Sequence, residues 1–112
     1  MTAYSLIMFT VWFIAAALVL WVGIKADQKT LPMNNWVGIR THRLMASEEN
    51  WVTGHKAAAT YLKLGSVPLF IGALACLFLK DELIGWVSIP VVVLLVLFVL
   101  LAAQKANKAV SE

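Results

Sequence analysis

The sequence predicts an all-α membrane protein with three transmembrane helices, the second of which extends into the cytoplasm. Two features of its composition support this fold class. The 112 residues are 62% hydrophobic with a mean hydropathy of +0.84. Only 13% are charged, compared with about 25% in soluble domains. The third observation is that the apolar residues form three runs of about 20, each long enough to cross the hydrocarbon core as a helix.

The first run covers residues 4–24 and is interrupted only by Ser5 and Thr10. No basic segment precedes it, and it exceeds the roughly 7–15 apolar residues of a signal peptide. We therefore expect a retained transmembrane helix over about residues 4–24. Residues 25–46 are polar and contain turn formers such as Pro32 and Gly38, so we expect a cytoplasmic loop that lies against the lipid headgroups.

The second helix is predicted over residues 47–79. Ser47 is a favourable N-cap, and the two following glutamates complement the helix dipole. Polar residues recur every three or four positions in its first half and predict one polar stripe along the helix. Trp51, His55, Ala58 and Leu62 are expected outside this stripe. The stripe consists of Glu49, Thr53, Lys56, Thr60 and Lys63. Its membrane-spanning part is predicted at about residues 61–79.

A charged turn at residues 80–82 separates the second helix from a third span at about residues 83–103. Because the turn is short, we expect these two helices to be antiparallel. Gly65, Gly72 and Cys76 form a partial stripe of small residues that would let another helix approach closely. Residues 104–112 are predicted to be a cytoplasmic tail.

Basic residues predict the orientation. Seven lie in the first loop, the start of the second helix and the tail, while the opposite side has only Lys80. The positive-inside rule then places the loop and the C-terminus in the cytoplasm and the N-terminus outside. The seven are Lys25, Lys29, Arg40, Arg43, Lys56, Lys105 and Lys108.

The sequence offers little support for enzymatic chemistry, metal binding or cofactors. The acidic residues lie outside the predicted spans, which leaves no path for a proton through the bilayer. His42 and His55 match no familiar metal-ligand spacing with the nearby glutamates. Cys76 has no second cysteine to pair with and is expected to pack as an apolar residue. We predict a non-enzymatic protein without a catalytic, cofactor or metal site.

One set of residues around the loop forms a distinctive pattern: an Asn, then Gly-x-Arg-Thr, then Ser-Glu-Glu and Trp, with an apolar span on each side. In this pattern the sequence resembles the SdpI/YfhL family of bacterial membrane proteins. The resemblance implies a small multi-pass helical protein of the bacterial plasma membrane, associated with immunity to a secreted peptide toxin and with membrane signalling. Pro32 and Ile39 also match. The candidate interaction residues are Asn34, Gly38, Arg40, Thr41, Ser47, Glu48, Trp51 and His55.

Arg40 is the residue of this motif with the most distinctive chemistry. Its guanidinium can bind a carboxylate or a lipid phosphate through two parallel hydrogen bonds. Glu48 and Glu49 are the nearest acids in the sequence, so we expect Arg40 to bind the helix start and hold the loop. Binding of a phosphate or a partner is the alternative.

Two functions from different classes are consistent with the sequence. The first is an immunity or signalling protein of the SdpI type, whose partner would be a peptide toxin. The alternative is an accessory subunit of a larger bacterial membrane complex, for example a respiratory or envelope-transport complex, which it would stabilise or regulate through helix packing. We expect membrane lipids and other membrane subunits, or further copies of the chain, as partners. We expect no nucleic acid, because the basic residues follow the two sides of the membrane and do not form one basic cluster.

Overall fold

The computed structural model describes residues 2–33 and 38–110. In these residues the secondary structure consists of α1 (Ala3–Asp27), α2 (His42–Met45), α3 (Glu48–Phe78) and α4 (Asp81–Ala109). Helices α1, α3 and α4 are long and apolar enough to cross a membrane. The predicted all-α class with three transmembrane helices is therefore confirmed.

Side chains cap the starts of two long helices. Thr2 and Ser5 exchange hydrogen bonds at the start of α1. Ser47 is the N-cap of α3, as predicted, and its hydroxyl accepts a hydrogen bond from the Asn50 amide at 3.0 Å. Helix α4 has no such cap. It continues past the predicted end of its span at residue 103 as far as Ala109, so most of the predicted tail is helical.

Helix α3 is the centre of the bundle, and α1 and α4 pack on it. Against α4, Gly65 faces Phe98 and Gly72 faces Val91. The later residue of α3 therefore meets the earlier residue of α4, so the two helices are antiparallel, as expected from the short turn between them. A Cβ atom at Gly72 would lie 2.9 Å from Val91 Cγ2, which shows how closely the helices approach. The predicted small-residue stripe thus serves packing within the chain.

Helices α1 and α4 run in the same direction and are joined at two places. At one end the Thr2 hydroxyl donates to the Asp81 carboxylate at 2.7 Å. Further along, the Trp12 indole nitrogen donates to the Ser88 hydroxyl at 3.3 Å. The bond between Trp12 and Ser88 lies within the predicted spans and satisfies polar groups that would be costly if left unpaired in lipid.

The first half of α3 has the predicted two-sided character. Glu49, Thr53, Lys56 and Thr60 are exposed, whereas Trp51, His55, Ala58 and Leu62 are buried. The ammonium groups of Lys56 and Lys63 bind the two carboxylate oxygens of Asp27 at 2.7 and 3.1 Å. The hydrogen bond from Lys56, followed by that from Lys63, lowers the pKa of Asp27. The end of α1 is thereby joined to α3.

Candidate functional site

The described residues between α1 and α3, together with the first two turns of α3, form one end of the bundle. We call these residues, 28–33 and 38–55, the cap. Its centre is Trp51, which is fully buried. The Trp51 indole nitrogen donates a hydrogen bond to the Leu31 carbonyl at 3.1 Å, so the first part of the loop is bound directly to α3.

His55 fixes the second part of the cap. It is 1% exposed, and its ring centroid lies 4.2 Å from that of Trp51. The Ile39 amide donates to Nε2 of His55 at 2.8 Å. Nε2 is therefore the acceptor, and Nδ1 carries the proton that is donated to the Trp51 carbonyl at 2.7 Å. One neutral imidazole thus joins the loop to the helix.

Burial changes the acidity of this imidazole. Desolvation lowers the pKa of His55 below its ordinary value of 6.5, although the hydrogen bond to the Trp51 carbonyl acts in the opposite direction. The neutral form is favoured by the site, and it is the form that can accept the Ile39 amide proton. Protonation would replace this acceptor with a second donor and leave the amide without its partner.

Gly38 lets the loop pass close to these two rings. Its φ is +111°, a conformation that residues with a Cβ rarely adopt. A Cβ at this position would also lie 2.8 Å from His55 Nε2 and 3.0 Å from two atoms of the Trp51 ring. The motif glycine, tryptophan and histidine therefore form one packing unit.

The outer side of the cap is bound to the end of α4. The Thr41 hydroxyl donates to the Asn107 side-chain oxygen at 2.7 Å, and the Arg43 guanidinium donates to the Asn107 carbonyl at 3.2 Å. Thr41 also caps the short helix α2, and the Asn50 amide group donates to the Arg43 carbonyl. The cap is thus connected to α3 on its inner side and to α4 on its outer side.

The side chains of two motif residues take no part in the hydrogen bonds that hold the described part of the cap. Arg40 and Glu48 are exposed, and their side chains form no hydrogen bond or ion pair in residues 2–33 and 38–110. The expected ion pair between Arg40 and Glu48 or Glu49 is therefore not present in the described part of the chain. The candidate Asn34 lies outside the described residues.

The motif consequently divides into two groups. Gly38, Thr41, Ser47, Trp51 and His55 build the cap or begin its helices, as their contacts above show. Arg40 and Glu48 present charges on its surface. Within the described ranges, no three His, Cys, Asp or Glu side chains are grouped so that they could hold a metal ion.

A comparison with known families finds one that matches about two thirds of the chain. The family model described as "SdpI/YfhL protein family" matches residues 30–103. The chain belongs to the SdpI/YfhL protein family. The match begins in the cap, runs through α3 and ends within α4 before Asn107, so it contains most of the cap and most of the two antiparallel helices. No curated protein and no solved structure matches the chain.

The sequence analysis did not predict the roles of Asn107, which binds the cap, and of Asp27, which joins α1 to α3 beside it. Asn107 was assigned to the tail, although Ala102 and Ala106 continue a helical spacing of small, buried residues on α4. That spacing was a signal for a longer α4. Asp27 gave a weaker signal: it is an acidic residue just after the first span, and only the fold brings it to the lysines of α3.

Proposed function

We propose that this SdpI/YfhL family member is a non-enzymatic immunity or signalling protein of the bacterial plasma membrane, which acts by presenting its cap to a partner. One observation carries the proposal. The cap is fixed to both α3 and α4 by hydrogen bonds, while Glu48 and Glu49 stay exposed on its surface. A fixed surface with available charges is suited to recognition, because little conformational freedom is lost on binding.

Binding is favoured over catalysis by how the cap's reactive groups are used. Both ring nitrogens of His55 have partners inside the cap. The Thr41 hydroxyl donates to Asn107 and caps α2. A general base or nucleophile must be able to reach a substrate atom, and these two groups are instead occupied in holding the structure.

We further propose that the cap faces the cytoplasm. The proposal is supported by the basic residues: Lys25, Lys29, Arg40 and Arg43 are in or beside the cap, whereas Lys80 is in the turn at the opposite end of α3. Such an asymmetry is typical of the cytoplasmic side. A peptide toxin would then meet the spans in the bilayer, and the cap would transmit its presence inside.

The test is a toxin challenge of cells that lack this protein. Under the proposal, deletion raises sensitivity to one member of a panel of secreted membrane-active peptides by at least about tenfold. The wild-type chain restores resistance. The double substitution Glu48→Gln and Glu49→Gln lowers protection at equal protein level, because it removes the exposed charges and leaves the buried contacts of the cap in place.

Lys108→Gln is the matched control, since it removes an exposed charge from α4 outside the cap. It should protect like the wild type. Full protection by the double glutamate variant would refute the role of the cap surface. Unchanged sensitivity on deletion, together with co-purification at constant ratio with a membrane complex that loses activity, would instead favour the accessory subunit.

The accessory-subunit alternative has one specific observation in its support. Near the start of α4, the Trp86 side chain is 73% exposed. A Cβ atom added at the neighbouring Gly85 would have no other part of the chain within 4 Å. A small residue beside a large exposed aromatic ring offers space and contact area for a helix of another subunit.

A further inference from the structure

A groove of about 450 Å³ opens between α1 and α4, next to the cap. Leu18 and Val22 of α1 line one side, and Val99 and Ala103 of α4 line the other. Leu62 of α3 lies between these two helices. The groove exists because α1 and α4 both pack on α3 and, at this level, leave space between each other.

The position of the groove along the helices indicates what surrounds it. Val22 precedes the end of α1 at Asp27 by five residues, which is about 8 Å of helix. With Asp27, the end of α1, taken as the start of the headgroup layer, the groove lies at the depth of the acyl chains just inside that layer. Residues 38–41 of the cap lie at its edge, at the level where headgroups begin.

Arg40 is the charged residue of the groove lining. Its side chain is exposed and forms no hydrogen bond or ion pair in the part of the chain that the structure describes. The neighbouring polar residue, Thr41, already donates its hydroxyl proton to Asn107. The groove thus combines apolar walls with one available guanidinium at its edge.

We propose that this groove binds an acyl chain of an anionic phospholipid, whose phosphate is bound by Arg40. A guanidinium can form two parallel hydrogen bonds with a phosphate. The volume lies in the range of about 300–1,000 Å³ that is usual for small-molecule sites. A peptide helix fits less well, because with its side chains it is about 10–12 Å wide, so that a groove of about 450 Å³ would hold only about one turn of it. This lipid site is independent of the immunity function proposed above.

Native mass spectrometry of the full chain in mild detergent tests the proposal. The probes are phosphatidylglycerol and phosphatidylcholine with the same dioleoyl chains. The wild-type protein should retain one phosphatidylglycerol molecule about tenfold more tightly than phosphatidylcholine, which corresponds to about 1.4 kcal/mol. Arg40→Gln should abolish this preference, and Arg40→Lys should leave an intermediate one because charge remains without the bidentate geometry.

Three further variants distinguish binding in the groove from unspecific lipid contact. Val99→Phe fills the groove and should weaken retention of both lipids, whereas Val96→Phe, on an exposed part of α4 outside the groove lining, should not. Lys105→Gln removes an exposed charge elsewhere and should keep the preference for phosphatidylglycerol.

Three results would overturn the proposal. The first is an unchanged preference in both Arg40→Gln and Arg40→Lys. The second is equal loss in Val96→Phe and Val99→Phe, which would indicate general contact with the helix surface. The third is displacement of the lipid by soluble glycerol 3-phosphate at equal concentration, since a headgroup alone would then account for binding. Circular dichroism of each purified variant establishes that the helices are intact.

Discussion

His55 shows how one side chain can determine the conformation of a whole loop. Its two ring nitrogens bind the Ile39 amide and the Trp51 carbonyl, and the ring is almost completely buried. Only the neutral imidazole can do both. The stability of the cap therefore depends on the protonation of this residue. Because the pKa of His55 is lowered in the closed cap, protonation destabilises the cap.

We predict that the cap opens more readily as the pH falls below 6.5. In the opened cap His55 regains its ordinary pKa of 6.5, whereas in the closed cap the pKa is lower. The opened form binds more protons between these values, so closure is fully favoured above pH 6.5 and loses up to about 1.4 kcal/mol per pH unit below it. Hydrogen exchange of the Ile39 amide at pH 7.5 and pH 5.5 measures this.

His55→Gln is the control for that experiment, because its amide oxygen can accept a hydrogen bond but does not titrate in this range. The intrinsic pH dependence of exchange is the same for both proteins and cancels when they are compared. From pH 7.5 to pH 5.5, the protection of the Ile39 amide against exchange should fall in the wild type relative to its protection in His55→Gln. An unchanged ratio of wild type to variant at the two pH values would contradict the link to His55.

At the scale of the helices, glycine determines how closely α3 and α4 pack. Gly72 is buried against Val91, whereas Gly85 of α4 faces open space. Gly72→Val should therefore lower the free energy of unfolding by about 1–3 kcal/mol more than Gly85→Val, since only the first inserts atoms into a packed contact. Unfolding in mixed detergent micelles, followed by circular dichroism, measures the difference.

A second substitution distinguishes overpacking from the intrinsic effect of valine in a helix. Adding Val91→Ala to Gly72→Val removes the atoms that would collide and should recover part of the loss. The two residues then show a coupling energy, as contacting residues do. Equal destabilisation by Gly72→Val and Gly85→Val would mean that the close approach contributes nothing to stability.

The sequence was sufficient to predict the helices because their signals are local. Apolar runs specify the three long helices, and Ser47 specifies the start of α3. The small residues of α3 also predicted a close helix contact, which Gly65 and Gly72 make with α4. Each of these features depends on residue type and spacing within one segment.

The contacts of the cap could not be predicted in the same way, because they join residues far apart in the chain. Thr41 binds Asn107, and Trp51 binds the Leu31 carbonyl, a backbone group that has no sequence signature. Arg40 illustrates the risk of choosing partners by proximity in sequence. Glu48 and Glu49 were its nearest acids, yet it forms no ion pair with them in the described residues.

For the whole molecule, the two ends of the bundle differ in size and charge. One end consists of the cap and the end of α4, and the other of the start of α1 and the turn at Leu79 and Lys80. We predict that the cap is cytoplasmic. In a Cys76→Ala background, a membrane-impermeant maleimide applied to intact cells should label Lys80→Cys, and should label Thr53→Cys only after the cells are permeabilised.

Both test positions are exposed in the structure, so accessibility within the protein does not limit the reaction. The buried Cys76 is replaced to remove background. Labelling of Thr53→Cys in intact cells without labelling of Lys80→Cys would show the opposite orientation and would place the cap outside.

The two hydrogen bonds between the cap and Asn107 also have a consequence for biosynthesis. Thr41 and Arg43 leave the ribosome early, but their partner on α4 follows all three spans in the order of synthesis. The cap can bind α3 while α4 is still being made, but it gains its second attachment only afterwards. A chain interrupted between Ala103 and Asn107 would retain the three predicted spans but lack both hydrogen bonds that join the cap to α4.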